Sequence, residues 1–501
     1  MATVTREIML ISSKLTPLWS VSLLLALVWV LSASCVRPKT ALAASSPTEP
    51  SIERYTANAA RVVRVSHTTE LTAAIQDLAP GDVVILADGV YAGDATLRIA
   101  DQSATSQQPI VITAEHQRQA VLQGTLHFEI SNSSHVTICG LTFNTQGAGK
   151  HRDIGAITIK HSHHNRITHN RFALAEQLGA HPEVMLDWLV IRGKHSRHNR
   201  VDHNLFENKL QRGRFIIVGL LDAADTMPQY THIDHNHFRD MAPLARNGME
   251  AVVLGGGHPV TAFYMADQDA FSMFEYNLLE RVDGECAEVI SLKSSSNVIR
   301  HNTFLDTNGS IYFRAGNRNT VYGNYFLGCG KKGSGGVRIY GEEQKVSDNY
   351  FSGLDIPAVW FGDANAVTFD PDKNLAPFTQ VTRAEVANNI FVDTNLGLAR
   401  HLRPGCDLRP RNSVIRNNFL YSNAAHRLID PLLLAEKGIT WQGNIAYAKQ
   451  SSRAEQLGDM GLSEEAIHWE EPQVIRYVLF PNNMSGVSTA YVLNYLAERK
   501  G

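Results

Sequence analysis

A short pattern, asparagine followed two residues later by an aromatic or aliphatic residue, recurs ten times through the middle of this 501-residue chain. The ten copies begin at Asn170, Asn204, Asn236, Asn277, Asn302, Asn324, Asn349, Asn389, Asn417 and Asn444. Five of the nine intervals are 22–28 residues long, and the other four are 32–41 residues long. A short period with some longer intervals is typical of a solenoid in which each coil is one repeat and loops extend some of the coils.

The residues inside each repeat predict strands rather than helices. Segments such as "SNVIRHNTFLD" and "RNTVYGNYFLG" alternate apolar and polar residues with a period of two, and they carry Asn or Gly at the corners. The sequence therefore predicts an all-β fold, a single-stranded right-handed parallel β-helix. In this fold Phe would stack on Phe in the interior, and Asn on Asn at a corner where its side chain binds neighbouring backbone groups.

The ends of the repeat region predict the limits of one domain. Residues 71–91 suggest a short helix, a Pro-Gly turn and a strand, which would form an N-terminal helical cap over the open end of the β-helix. We expect coils from about residue 109 to residue 450, within a β-helix domain of residues 62–454 that follows a linker of residues 46–61. Residues 455–501 lose the repeat and are expected to form a C-terminal cap or packing arm.

Residues 1–45 differ from the rest of the chain. Basic Arg6 and Lys14 precede the apolar run of residues 20–33, and small residues end the segment at 41–45. This order predicts a secretory signal peptide with Ala43 as the last residue before cleavage. The alternatives are a lipid anchor on Cys35 and an uncleaved anchor, and all three place the folded domain outside the cytoplasm, in the periplasm or secreted.

Composition narrows the choice of partner. The formal net charge of −3 argues against a nucleic-acid-binding protein, whose binding domain would be strongly basic. An acidic polymer would therefore have to be bound by local positive charge. The cysteines beyond the leader match no zinc or disulfide framework.

Two basic residues are spaced to form such a local charge. Lys293 and Arg314 are 21 residues apart, close to the length of one coil. They can therefore occupy equivalent places on adjacent coils, with backbones roughly 5 Å apart. Placing two cations so close costs repulsion unless an anion lies between them.

Oxygen-bearing side chains precede this pair. Asp283, Glu285 and Glu288 come shortly before Lys293, and the segment "NGMEA" supplies Asn247 and Glu250. Such oxygens are the ligands that Ca²⁺ prefers, so one interpretation is a calcium site that helps to bind an acidic sugar. The other is that these residues are solvated charges in turns.

In these segments the chain resembles polysaccharide lyase family 6, the β-helical alginate lyases and chondroitinase B. The resemblance extends over "LAPGDVVILADGVY", "PIVITAEH", "ISNSSHVTICGLTFNT", "RNGMEAVVLG", residues 277–328 and "GSGGVRIYGEEQKVSDNYF". It implies an extracytoplasmic lyase that cleaves 4-linked uronate polymers by β-elimination. Alginate is the favoured substrate, and chondroitin or dermatan sulfate is the alternative.

The resemblance also implies the roles of individual residues. Lys293 would be the general base and Arg314 the general acid. A lysine acts as a base only without its proton, and positive charge from Arg314 and a bound cation would favour the neutral amine. Calcium would neutralise the uronate carboxylate, and its implied ligands are Asn247, Glu285 and Glu288. Substrate-groove or supporting roles are implied for Arg318 and Glu250.

The chain departs from the family pattern at the two acids. The family has Gly-Glu-x-Glu, whereas this chain has Gly284-Glu285-Cys286-Ala287-Glu288, with one more residue between the acids. Because side chains alternate along a strand, Glu285 and Glu288 would face opposite sides unless a bulge absorbs the extra residue. Without a bulge, Cys286 would take the place of the first acid, and calcium binding would be weak or absent.

Two other classes of function remain open at this point. A β-helical hydrolase would need convergent carboxylates as acid and base, and the central Lys-Arg pair argues against it. A non-catalytic β-helix that binds glycans is the other alternative, since a fold alone does not establish function.

Overall fold

A computed structural model describes residues 51–147, 152–175, 185–220, 225–256, 267–368, 378–422, 428–448 and 462–463. The predicted leader of residues 1–45 lies outside the described residues, as does all of the predicted C-terminal arm except residues 462–463. No helix within the described ranges is both long and apolar enough to cross a membrane.

The described strands form three sheets, in which every pair of neighbouring strands is parallel. Sheet A contains β1 (Arg61–Val65), β2 (Asp82–Leu86), β5 (Ile110–Ala114), β8 (Val136–Cys139), β11 (Arg166–Thr168), β14 (Arg200–Asp202), β17 (His232–Asp234), β20 (Met273–Glu275), β23 (Val298–Arg300), β26 (Thr320–Tyr322), β29 (Lys345–Ser347), β32 (Glu385–Ala387), β35 (Ser413–Arg416) and β37 (Ile439–Gln442). Sheet B contains β3 (Gly89–Gly93), β6 (Ala120–Gly124), β9 (Thr142–Thr145), β12 (Arg171–Phe172), β15 (Leu205–Lys209), β18 (His237–Met241), β21 (Leu278–Val282), β24 (Thr303–Leu305), β27 (Tyr325–Leu327), β30 (Tyr350–Ser352), β33 (Ile390–Val392), β36 (Phe419–Ser422), β38 (Asn444–Ala448) and β39 (Leu462–Ser463). Sheet C contains β4 (Thr96–Ala100), β7 (His127–Ser131), β10 (Arg152–Lys160), β13 (Met185–Arg192), β16 (Ile216–Gly219), β19 (Val252–Gly256), β22 (Glu288–Leu292), β25 (Gly309–Phe313), β28 (Ser334–Ile339), β31 (Val359–Gly362) and β34 (Leu398–His401).

The order of the strands confirms the predicted right-handed parallel β-helix. From β2 to β34, successive strands lie in sheet A, sheet B and sheet C in turn, and each strand pairs with its equivalent in the next coil. The predicted start of the coils near residue 109 was too late, because β1 to β4 already belong to the three sheets. These first coils lack the Asn-x-Phe pattern, so the repeat did not reveal them.

Buried asparagines stack at the corner between sheets A and B. In each step, the Asn Oδ1 accepts hydrogen bonds from the backbone N–H and the side-chain amide of the asparagine one coil earlier, as Asn302 does from Asn277 at 2.9 and 3.0 Å. The ladder runs through Asn170, Asn204, Asn236, Asn277, Asn302, Asn324, Asn349, Asn389, Asn418 and Asn444. The assignment of Asn417 was therefore wrong by one residue. Asn418 carries the ladder, while Asn417 has a left-handed backbone with φ of 53°.

Aromatic rings stack inside the coils, two residues after the ladder asparagines. Phe304, Phe326, Phe351 and Phe391 follow one another with ring centroids 4.6–4.9 Å apart, and each ring is at most 4% exposed. Leu420 continues this column because it pairs with Phe391. Burial of this continuous apolar column is the main source of stability of the coils.

Two helices lie at the N-terminal end. Helix α2 (Thr68–Gln76) buries Leu71 and Ile75 in the same core as the first strands, as the predicted cap requires. Helix α1 (Ile52–Thr56) lies inside the segment expected to be a linker. Its Ile52 and Tyr55 pack against buried Val83 and Ile85 on the outer face of sheet A.

Candidate active site

Lys293 and Arg314 directly follow β22 and β25 in sheet C. The register pairs Leu292 with Phe313, so the next residues on the two strands occupy equivalent places on adjacent coils, as the spacing predicted. Leu292 and Phe313 point into the core, and the two basic side chains leave the opposite, outer face of the sheet. The chain then turns tightly: Gly316 has φ of 89°, and a Cβ there would lie 2.3 Å from the Ser294 carbonyl oxygen.

Glu250 connects Lys293 to a second, buried cation. Lys293 Nζ lies 3.1 Å from Glu250 Oε1, and Arg214 Nε donates to Glu250 Oε2 at 2.9 Å. Arg214 is in turn held by Asp187, whose Oδ1 accepts from the Arg214 backbone N–H at 3.0 Å. Burial would raise the pKa of Glu250, but the charges of Arg214 and Lys293 outweigh it and hold the pKa well below its usual range.

Three carboxylates converge beside Lys293. One oxygen each from Glu250, Glu285 and Glu288 lies within 4.8 Å of the others. Asp283, from the same segment, instead forms an ion pair with Lys331 at 2.8 Å.

A bulge brings the two acids of the altered motif together. The register between β22 and β25 shifts by one residue, because Glu288 pairs with Ser310 while Ile290 pairs with Ile311. Val289 is the extra residue and is buried. Glu285 lies in the preceding turn, where its Oε2 accepts from the Gly248 N–H at 2.9 Å. Cys286 is exposed in that turn, so it does not replace the first acid.

If all three carboxylates were ionised, their contacts would not neutralise the whole negative charge. Burial, followed by repulsion from Glu250 and Glu288, raises the pKa of Glu285 to about 8. Burial also raises the pKa of Glu288, with Lys293 opposing the shift. Glu288 Oε2 is buried with no hydrogen-bond partner among the described residues. An unsatisfied oxygen in a group of three carboxylates fits a divalent cation with oxygen ligands, such as Ca²⁺.

Aromatic contacts hold Arg314. Its guanidinium carbon lies 4.1 Å from the centre of the Phe378 ring, and burial lowers the pKa of Arg314 although Glu288 opposes the shift. Phe378 is distant in the sequence and carries no repeat signal, so sequence reasoning missed it. Arg214 was also missed, although its separation of 36 residues from Glu250 is the length of a longer coil.

The remaining predicted site residues lie around this centre. Asn247 is exposed three residues before Glu250, and its backbone carbonyl accepts from Arg212 at 3.0 Å. Its role as a calcium ligand stays a prediction. Arg318 is 45% exposed at the corner after Arg314 and binds Asp269 at 2.9 Å, and its role in the substrate groove likewise stays a prediction.

Comparisons with known proteins agree with this fold. The sequence model of the family described as Chondroitinase B matches residues 65–468. No curated protein sequence matches the chain.

Three solved structures show the same fold at low sequence identity. A mannuronic acid specific family 6 lyase from human gut microbiota has 22% identity and a TM-score of 0.70, over 88% of this chain and 99% of that one. A mutant of the PL6 family alginate lyase AlyGC has 23% identity and a TM-score of 0.67 over 81% of this chain, which spans only 53% of the AlyGC chain. A PL6 alginate lyase in complex with a trisaccharide has 22% identity and a TM-score of 0.60, over 77% of this chain and 85% of that one. On the match of its sequence over residues 65–468, the chain belongs to the chondroitinase B family of β-helical polysaccharide lyases.

Proposed function

We propose that this protein is an extracytoplasmic lyase that cleaves 4-linked uronate polymers by β-elimination, with alginate as its substrate. The observation that carries the proposal is the placement of Lys293 and Arg314 at equivalent positions of adjacent coils, beside three convergent carboxylates. The names of the similar structures support alginate. The signal-like leader supports a location in the periplasm or outside the cell.

Lys293 is the base in this reaction. After the ammonium group of Lys293 has given its proton to solvent, the amine takes the C5 proton of the uronate, the C5–H electrons form the C4–C5 double bond, and the C4–O4 bond breaks. Glu250, fixed from behind by Arg214, orients the Lys293 amine through its contact at 3.1 Å. The proton then resides on Lys293 Nζ.

Arg314 serves the leaving oxygen. Its guanidinium hydrogen-bonds to O4 as negative charge develops there, and the leaving oxygen takes a proton from water. The hydroxide formed is then neutralised by the proton that Lys293 releases. The contact with Phe378 fixes the guanidinium, so that little reorganisation is needed during the reaction.

A divalent cation has a place in this scheme. Glu250, Glu285 and Glu288 would hold it, with Asn247 as the further predicted ligand. When bound, Ca²⁺ supplies positive charge that neutralises the uronate carboxylate and so makes the C5 proton more acidic.

The test follows the ultraviolet absorbance of the unsaturated uronate product, which hydrolysis does not produce. Wild-type protein should generate it from alginate, and Lys293→Ala should abolish it. Lys345→Ala, which removes an exposed lysine from sheet A, is the matched control and should retain activity. Near-normal activity of Lys293→Ala would overturn the assignment of the base.

Sulfated glycosaminoglycans are the second candidate substrate, because the matching family model carries the name of a chondroitinase. Dermatan sulfate and alginate block polymers should therefore be assayed in parallel. Binding of either polymer without turnover would support the glycan-binding alternative.

A further inference from the structure

The outer face of sheet B changes its chemistry along the coils. Arg171, Glu207 and Arg239 point outward from β12, β15 and β18, and they form ion pairs across these neighbouring strands. From β24 to β36 the outward positions carry mostly apolar side chains, which form a cluster separate from the core. The members of this cluster in these strands are Leu305, Leu327, Tyr350, Val392 and Tyr421, with Tyr325, Ile390 and Phe419 packed against them. These residues form the apolar face of sheet B.

The side chains of the apolar face are buried although they point away from the core. Leu305 is 0% exposed and Val392 is 1% exposed. By contrast, Val121 and Leu205, which point outward from β6 and β15, are partly exposed. All four residues lie on inner strands of the same sheet, so contact between neighbouring strands does not account for the difference. The burial therefore requires a second layer over the apolar face, since an apolar sheet face is stable only against another element.

The described helices and connections do not supply that layer. Helices α1 and α2 pack at the N-terminal end, and a third helix, α3 (Pro431–Leu434), contacts β34 of sheet C. The connections that lead from β24, β27, β30 and β33 into sheet C have six residues or fewer, which is too short to return across sheet B. The covering layer therefore comes from outside the described residues.

The segment of residues 464–501, the last part of the predicted C-terminal arm, begins in the right place. Strand β39 (Leu462–Ser463) pairs with β38 at the end of sheet B, so the chain enters this segment directly from that sheet. Residues 257–266 and 369–377 instead connect sheet C to sheet A. Six strand spacings of about 4.8 Å, roughly 30 Å in all, separate β39 from β24, and about ten extended residues span that distance. The segment is long enough to cross the whole apolar face.

The sequence of this segment is complementary to the apolar face. It contains the apolar runs "VIRYVLF" (474–480) and "AYVLNYLA" (490–497). The first run has the β-branched and aromatic composition that favours a strand. Left exposed, both this run and the apolar face would promote association between chains. Packing one against the other removes both surfaces from water.

We propose that residues 464–501 fold back over the outer face of sheet B and pack against Leu305, Leu327 and Val392, as a second layer on the last coils. The covalent connection to β39 gives the segment a high effective concentration beside the face, which a second copy of the chain lacks. The apolar face lies on a different sheet from Lys293 and Arg314, so the inference is independent of the proposed lyase activity.

The first test captures the neighbour of the apolar face in the full-length protein. Tyr325→p-benzoylphenylalanine and Ile390→p-benzoylphenylalanine place a photoreactive side chain at two partly buried positions of the face. After irradiation, mass spectrometry of tryptic peptides identifies the captured residues. We expect both variants to capture residues within 464–501, in a product with the mass of one chain. The control Val121→p-benzoylphenylalanine, outward on β6, should capture none of them.

The other outcomes of this test contradict the inference. Capture of residues 464–501 in a product with the mass of two chains would assign the apolar face to a second copy. Capture of other residues only, or no capture from either position, would show that this segment does not cover the face. Circular dichroism spectra and melting temperatures that match those of the wild type establish that each variant is folded.

A second test measures the reactivity of Cys329, which packs beside the apolar face. Val478→Asp combined with Leu479→Asp puts a carboxylate on either side of the first apolar run, so one of them opposes docking whichever side meets the sheet. Alkylation of Cys329 by iodoacetamide should become about tenfold faster or more, because undocking exposes the thiol. Exposed Cys286 serves as the internal standard, and Ser485→Asp is the control variant. An unchanged rate at Cys329 in the double variant would overturn the proposed docking.

Discussion

Lys209 is a buried lysine whose removal should stabilise the protein in a pH-dependent way. It ends β15 with its side chain inside the coils, 0% exposed. Its Nζ donates to the Leu186 carbonyl at 2.9 Å and lies 4.6 Å from the centre of the Trp188 ring. Burial lowers the pKa of Lys209 to about 7, because one carbonyl and one ring do not replace the water that solvates an ammonium group.

The direction of the pH effect follows from this shift. In the unfolded chain the pKa of a lysine is about 10.4, so between about pH 7 and pH 10 the unfolded state binds a proton that the native state lacks. Over that window Lys209 makes the free energy of unfolding rise by about 1.4 kcal/mol per pH unit, and by about 4 kcal/mol in total. Below about pH 7 Lys209 is protonated in both the native and the unfolded state, so the amount by which it destabilises the native state no longer changes with pH.

Lys209→Met should therefore be more stable than the wild type at pH 7, and the difference should shrink as the pH approaches 10. Guanidinium chloride unfolding, followed by tryptophan fluorescence at pH 7, 8, 9 and 10, measures the free energy of unfolding of both proteins. Comparing the two proteins at each pH cancels the titration of all groups that they share. A difference that stays constant over this range would refute the assignment of a neutral Lys209 to the native state.

Three further substitutions test other parts of the structure. Glu250→Gln should lower the free energy of unfolding by about 3 kcal/mol, since it leaves Arg214 buried without its main partner, and it should also lower lyase activity. An unchanged denaturation midpoint would contradict that role of Glu250. Asn302→Ala should cost about 2–4 kcal/mol in thermal or chemical unfolding, because two donors of Asn277 lose their acceptor. Asn417→Gly, outside the ladder, should remain close to the wild type. Calcium should raise the melting temperature of the wild type but not of Glu288→Gln, measured by calorimetry without substrate. An equal rise in both would exclude Glu288 as a ligand.

The coil architecture could be predicted from the sequence because each repeat signals the same local structure. Asn302 and Phe304 occupy a corner and an interior position, and that two-residue offset recurs along the chain. The prediction was wrong by one residue at Asn417. Two asparagines are adjacent there, and Phe419 lies two residues after the first of them, which is the spacing expected of an interior residue. The hydrogen bonds of Asn418 and the pairing of Leu420 with Phe391 show which asparagine continues the ladder.

Only the site residues whose separation in the sequence equals one coil could be predicted to be neighbours. Lys293 and Arg314 are one short coil apart, so their spacing alone predicts that they are neighbours. The direction of the Glu288 side chain depends on a bulge at Val289, and a single sequence does not reveal that bulge. Phe378 reaches the site from a segment whose length follows no period, so no spacing argument identifies it.

The bulge turns Glu288 toward the outer face of sheet C, where Lys293 also lies. Glu288 begins β22 and Lys293 follows its end, a separation of five residues, or roughly 16 Å of extended strand. Lys293 nevertheless contacts Glu250, from the adjacent coil, at 3.1 Å. The two long side chains must therefore lean toward each other over the strand, above the small Ser291, which is fully buried between them. The charges of Lys293 and Arg314 both act on Glu288. A larger residue at position 291 should therefore separate Lys293 from Glu250 and reduce lyase activity without removing any charged group.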